Sequence, residues 1–371
     1  MFFKIWGYLI EKEIKMKVLH LLNWKLGTIE KELDNIGKQG FDAIQINPMQ
    51  PFKEEKEFKW WSSYQPLGFR IGNMFGSCDD LRRLCSVASD KGIDVIVDVV
   101  LNHMANKSGE EPLVPHENVD RELEDIADFW KEKIMLKNGD DRFDAVNHCI
   151  GLPGLDLSNQ ELQKIVFRYL DELKECGVSG LRFDAAKHIG LPNDGVDFFK
   201  NVRQYMLING MYGYGEFLGG TKEWRNDMAE LLMVLSPHGT TIDEIDQMIR
   251  FIESHDTYLN INDHDHSFKH TRCLTDNDLI SNYMRIRQLY NNSLVYVRPN
   301  NENNPYCRNI DSLSCDDVYK LDERDYFTRL YFDSERIREI NGLSQEDIKK
   351  ISQNSDINSI CYCKVLNRNH R

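Results

Sequence analysis

The sequence predicts an α/β protein, a (β/α)8 barrel of the TIM type with a small subdomain inserted after the third strand. Three observations carry this expectation. Apolar strand-like runs alternate with amphipathic helical segments from Val18 onward, and about eight such units are the number that closes a barrel. Residues 104–156 interrupt that rhythm with a polar stretch too long for an ordinary connection. Predicted strands end in polar residues at Asp98 to His103, Arg182 to Asp184, Gly215-Glu216 and Glu253 to Asp256. In such a barrel the C-terminal strand ends form the face where chemistry is done.

The elements follow in order. Val18 to Trp24 and Phe41 to Asn47 are apolar runs suited to buried parallel strands, with a helix from Thr28 to Lys38 between them. An aromatic loop, Trp60 to Pro66, comes next. Ser77-Cys-Asp-Asp80 is a capping box, opening a helix with apolar Leu81, Leu84, Cys85 and Ala88 on one side. Ile93 to Leu101 is a third strand rich in β-branched residues. Within the interrupting segment one helical piece is expected around Arg121 to Lys137. Ser158 to Glu161 reads as another capping box, before a helix striped with Leu162, Ile165, Val166, Tyr169, Leu170 and Leu173. Then come a strand at Gly180 to Asp184, a helix at Phe198 to Leu207 and a strand at Tyr212 to Glu216. Leu231 to Leu235, Met248 to Glu253 and Leu294 to Val297 supply the last three strands. Helices are expected at Asp276 to Tyr290 and Tyr326 to Ile340, and a final strand at Ser359 to Val365.

Composition is ordinary for a soluble globular protein, 41% hydrophobic and 29% charged over 371 residues. A net charge of −14 argues against nucleic acid or an anionic membrane as partner. Nine cysteines without metal-like spacing fit a reduced compartment better than a disulfide framework. The apolar start, Met1 to Ile10, is short, is interrupted by Lys4 and shows no cleavage site; no signal peptide or membrane span is expected, and the expected compartment is the cytoplasm.

Arg182 and Asp184 are two apart, so on a strand they share one face. Buried charges cost several kcal/mol each unless they are paired or used. Taken alone, the two could also be a structural ion pair, and a strand-end histidine is more often a satisfied structural group than a ligand contact. Taken together, the short segments resemble the signatures of the α-amylase family of retaining glycoside hydrolases, in that family's order and spacing. They are Asp98-Val-Val-Leu-Asn-His103, Leu152-Pro-Gly-Leu-Asp156, Gly180 to His188, Gly215-Glu216 and Phe251 to Asp256. Trp60-Trp-Ser-Ser-Tyr-Gln-Pro66 resembles the family's substrate-stacking loop.

The resemblance implies a two-carboxylate hydrolysis of α-1,4-glucans: starch, glycogen or maltodextrins. Asp184 would be the nucleophile, kept ionised by Arg182, and Glu216 the acid/base. Asp256 would be the third catalytic carboxylate, stabilising the distorted sugar. His103 and His255 would bond that ring and Tyr64, beside Gln65, would stack on it. Lys187 and His188 would line the leaving-group side, and Trp60 and Trp61 would stack on sugars further along. The resemblance also implies calcium, held by Asn102, Asp156 and the carbonyl of His188, with a further ligand from Asp140, Asp141 or Asp144. Chloride, bound in some relatives, would use Arg182 and Arg298, but Ser254 stands where those relatives have asparagine, which argues against it.

The implied domains are barrel at 1–103 and 157–340, the inserted calcium-associated subdomain at 104–156, and at 341–371 a remnant of a truncated or absent C-terminal β-sandwich. The alternatives are a maltooligosaccharide transferase or maltogenic hydrolase on the same barrel, or a catalytically silent glucan-binding protein.

Overall fold

A computed structural model describes residues 16–53, 60–237, 248–252, 254–256 and 292–296. Eight strands form one closed parallel barrel: β1 (Met16–Leu21), β2 (Ala43–Ile46), β3 (Asp94–Val99), β4 (Gly180–Phe183), β5 (Tyr212–Glu216), β6 (Met233–Pro237), β7 (Met248–Phe251) and β8 (Asn292–Tyr296). Each strand pairs with its neighbour in sequence, and β8 pairs back onto β1 with Val18 opposite Leu294. The described helices outside the barrel wall are α1 (Leu26–Lys38), α2 (Cys78–Asp90), α3 (Gln160–Glu175), α4 (Phe198–Asn209) and α5 (Lys222–Ala229). The helices expected at Asp276 to Tyr290 and Tyr326 to Ile340, the strand at Ser359 to Val365, Glu253, Arg298 and residues 341–371 lie outside the described residues.

The core has two parts because side chains alternate across each strand. Leu19, Leu21, Ile44, Ile46, Val95, Val97 and Val99 pack outward with the helices' apolar stripes. Met16, Val18, Ala43, Ile96, Ile249 and Leu294 form a second cluster on the inner face. Further along the same inner face the residues turn polar: His20 on β1, Gln45 on β2, Asp98 on β3, Arg182 on β4 and Tyr214 on β5 are all buried. Tyr214 Oη donates to Gln45 Oε1 at 2.5 Å across the barrel.

Several boundaries moved for local reasons. β1 ends at Leu21 rather than Trp24, because Asn23 takes a left-handed φ of 63° and turns the chain. Asn47 Nδ2 then donates to Asn23 Oδ1 at 3.0 Å, tying the ends of β1 and β2. The Ser77–Asp80 capping box forms as the sequence reads, and hydrogen bonds from the Ser77 N–H, the Ser77 hydroxyl and Arg83 push Asp80 down to about 2. Ahead of α3 the cap is Asn159, not Ser158: the Asn159 side chain accepts from the N–H groups of Glu161 and Leu162. The sixth strand starts at Met233, two residues later than expected, because the eight-residue α5 fills the preceding segment.

The helix expected from Arg121 to Lys137 is not continuous. It is one turn, Arg121–Glu124, then a 3₁₀ turn, Ala127–Phe129, then extended chain from Trp130. The extended part pairs with the returning segment: Lys131 N donates to Gly154 O at 2.9 Å and Cys149 N to Ile134 O at 2.8 Å. Tertiary pairing, with Leu123 and Phe129 buried as anchors, overrides weak helix propensity here. A helix that the sequence did not announce, Arg142–Asn147, is capped by Asp141, whose carboxylate accepts from Asp144 N.

Two outcomes follow. Asn159→Ala lowers unfolding free energy by about 1 kcal/mol in urea titrations, whereas Ser158→Ala stays within about 0.5 kcal/mol of wild type. Burial, and next the Arg182 charge, push the buried His20 down to about 3. The unfolded chain therefore binds more protons than the fold between pH 6.5 and 3, so this contribution is complete above 6.5 and is lost as pH falls. From pH 7 to 5, urea titrations of wild type lose about 1–2 kcal/mol more stability than those of His20→Asn.

Candidate active site

The site is built around one guanidinium. Arg182 sits in register between Asp98 on β3 and Tyr214 on β5, and is 1% exposed. Its Nη1 donates to both oxygens of Asp98, at 2.8 and 2.9 Å, and to Asp184 Oδ1 at 2.6 Å. Its Nη2 donates to Glu216 Oε1 at 2.5 Å. The strands bring these groups together: Arg182 and Asp184 share a face of β4, and Tyr214 and Glu216 share one of β5.

The turn after β4 completes the arrangement. Ala185 is held in the left-handed region, φ 46° and ψ 33°, and its N–H donates to Glu216 Oε2 at 3.0 Å. That conformation costs on the order of 1 kcal/mol for alanine and aims a backbone donor into the site. Residue 215 must be glycine for the same turn to fit, because a Cβ there would lie 2.9 Å from Ala186 Cβ.

Asp256 reaches this cluster from beyond β7. It interacts with Glu216 through a side-chain hydrogen bond, and His255 Nε2 lies 3.5 Å from its Oδ2. The His255 ring stacks on Tyr64 at 5.0 Å with the planes 7° apart, and Tyr64 Oη donates to Asp98 Oδ2 at 3.0 Å. Asp184, Glu216 and Asp256, distant in sequence, thus meet with Arg182, Tyr64 and His255 in one place.

The electrostatics are those of several acids sharing one fixed cation. Burial raises Asp98 to about 7 against the attraction of Arg182. Burial also raises Asp184, again opposed by Arg182. Arg182 acts on Asp184 in the expected direction, favouring its ionised form, while burial acts the other way. Asp256 is pushed well above the carboxylate range, first by burial and then by the charge of Glu216. The proton of this part of the cluster is therefore held on Asp256.

His103 is buried, and burial pushes it down to about 4. Its Nε2 lies 2.9 Å from the carbonyl of Tyr64, which can only accept, so Nε2 carries the proton. Its Nδ1 then accepts from Asn102 Nδ2 at 3.3 Å. His188, pushed down to about 3 by burial, donates through Nδ1 to Ala145 O at 3.0 Å. Its ring thus faces the insert rather than the carboxylates. Lys187 Nζ donates to Leu218 O at 2.5 Å and faces the charge of Asp140. Trp61 and Gln65 are half-buried on and beside the 3₁₀ turn Trp60–Tyr64; the side chain of Trp60 lies outside the described residues.

The oxygens expected to hold calcium are occupied by an ammonium group. Lys131 Nζ donates to Asn102 Oδ1 at 3.1 Å and to the carbonyl of His188 at 2.8 Å. Asp156 acts on Lys131 as a nearby negative charge, and its Oδ1 accepts from Ser158 N at 2.9 Å. The three further candidates are engaged elsewhere: Asp140 with Gly220 N, Asp141 with Asp144 N, and Asp144 with Lys137 N, Asn138 N and His148. Among the described residues no group of three or more His, Cys, Asp or Glu side chains could hold a metal. The residues present do not fit a calcium ion at this point.

Sequence reading named Asp98 as a polar strand end but gave it no role, and it missed His20 and Lys131. Asp98 carried a signal, a charge at a buried position within the apolar run Val95 to Val99. Lys131 carried none, because only the folded insert brings it to Asn102 and His188.

Comparison with known proteins identifies the family and the fold. The alpha-amylase catalytic-domain family model matches residues 25–257. An alpha-amylase of Clostridium acetobutylicum is 35% identical over 175 residues, which cover 46% of this chain and 23% of that protein. One from Butyrivibrio fibrisolvens is 24% identical over 82% of this chain and 37% of its own length. The chain thus matches only 23% and 37% of the length of those two relatives. Alpha-amylase I of Eisenia fetida superposes with a TM-score of 0.62 at 18% identity, over 81% of this chain and 70% of that one. The alpha-amylase of Geobacillus thermoleovorans, complexed with acarbose, superposes at 0.60 with 15% identity, over 86% and 78%. With the family model covering well over half of its residues and the barrel closed in eight strands, the chain belongs to the alpha-amylase catalytic-domain family of glycoside hydrolases.

Proposed function

We propose that the protein hydrolyses internal α-1,4-glucosidic bonds of starch, glycogen or maltodextrins with retention of anomeric configuration. The observation that carries this reading is the meeting of Asp184, Glu216 and Asp256 around the Arg182 guanidinium at one end of the barrel.

In this reading the Glu216 carboxyl gives a proton to the glycosidic oxygen. An Asp184 oxygen attacks the anomeric carbon as the bond to the leaving sugar breaks, forming a glycosyl ester. Glu216, now ionised, takes a proton from water, whose oxygen displaces Asp184 from the anomeric carbon and releases the sugar. Arg182 holds both reacting carboxylates by hydrogen bonds that exist before substrate arrives, so little reorganisation is needed during reaction. Asp256, with His255 beside it, faces the sugar hydroxyls. Tyr64 offers its ring to the sugar and is fixed through Asp98 and His255.

The chemistry is tested by reducing-sugar release from soluble starch. Asp184→Asn and Glu216→Gln are each expected to lose at least about 10³-fold in kcat, with the melting midpoint held as a control for folding. Proton NMR of the first product should show the α-anomer. Residual rates within tenfold of wild type in both folded variants would overturn the assignment of nucleophile and acid. A wild type that releases no more sugar than either variant or than buffer would be a glucan-binding protein without turnover.

A further inference from the structure

We propose that Lys131 supplies the cation that joins the insert to the barrel, and that the fold holds together there without calcium. The inference rests on the geometry of that joint and not on the hydrolase reading.

Asn102 lies just past β3 and His188 just past β4; Lys131 comes from the insert. One ammonium donates to the Asn102 side-chain oxygen at 3.1 Å and to the His188 carbonyl at 2.8 Å. It therefore ties two strand ends to the segment that crosses above them. A calcium ion contacts its oxygens at about 2.3–2.6 Å and needs about six to eight of them. An ion within that reach of both oxygens would have to displace the ammonium. The insert's spare carboxylates, which would complete such a shell, are bonded to other groups.

The backbone is built around the lysine stem. Lys131 N donates to Gly154 O at 2.9 Å, so the two residues are paired across the insert. A Cβ on residue 154 would lie 2.9 Å from Lys131 Cδ and 3.3 Å from its Cγ. Glycine at 154 thus leaves the channel through which the side chain reaches Asn102. Asp156, two residues on, supplies a negative charge for the ammonium.

The bond has a consequence for the loop over the site. With Asn102 Oδ1 turned to Lys131, the amide's Nδ2 is left to donate to His103 Nδ1, and His103 Nε2 donates to the carbonyl of Tyr64. The lysine thereby fixes the orientation of one amide and, through it, of one imidazole. Lys131 and Asp156 also line the cleft between the insert and residues Ile189 to Val196, so ions in solution have access to the joint.

The 371-residue chain is tested by calorimetric melting after exhaustive chelation and again in millimolar calcium, with calcium binding followed by isothermal titration. Wild type is expected to show one midpoint in both conditions and no stoichiometric calcium uptake. Lys131→Met, which keeps the apolar stem and removes the charge, is expected to melt lower by roughly 3–8 °C. A wild-type midpoint that falls on chelation and recovers with calcium would overturn the proposal, as would one calcium bound per chain. An unchanged midpoint for Lys131→Met overturns it as well. If that variant fails to fold, the two wild-type measurements still decide the matter, and neither uses activity as its readout.

Discussion

The Arg182 guanidinium is the constraint on which the rest of the site depends. It is almost fully buried, so its charge must be answered locally, and Asp98, Asp184 and Glu216 answer it from three adjacent strands. Breaking a buried pair of this kind by removing one partner commonly costs about 3–5 kcal/mol, because the remaining charge is left without compensation. Geometry and stability are therefore set by the same contacts. The strands cannot slide in register without separating donors from acceptors, and the carboxylates cannot spread apart without exposing the arginine to an apolar surround.

The same constraint gives the site its unusual protonation. A single positive charge cannot ionise every acid crowded about it in a dry interior. Asp98, Asp184 and Asp256 are all driven upward by burial, with Arg182 opposing. A site that holds protons among several carboxyls suits chemistry in which one carboxyl gives a proton while another attacks. The histidines lie at the other extreme. His20 and His103 are driven neutral by burial, so they act as fixed hydrogen-bonding or packing groups rather than as charges.

The joint between insert and barrel follows a different rule. Buried apolar anchors such as Phe129 and Leu155 hold the insert together with hydrogen bonds along its extended chain, and each carbonyl where it meets the barrel needs a donor. Lys131 provides it for His188 and for Asn102 at once. The long, flexible stem makes this feasible: it crosses a gap that a short side chain could not, and its three N–H donors can divide among several oxygens.

The sequence alone determined the alternation of eight strands with helices, the capping box at Ser77, the apolar stripe of α3 and the positions of the polar strand ends. These are local properties: periodicity of two or 3.6 residues and side chains bonding to nearby backbone. It also pointed to Asp184, Glu216 and Asp256, because motifs in a fixed order carry more information than any single carboxylate. What it could not determine are facts that depend on residues far apart in the chain. The broken helix after Glu124, the choice of Asn159 over Ser158 as cap, the upward direction of Asp184 and the arrival of Lys131 between Asn102 and His188 were decided by tertiary contact. Burial and partner geometry set those outcomes, and neither is encoded in the spacing of residues along one strand or helix.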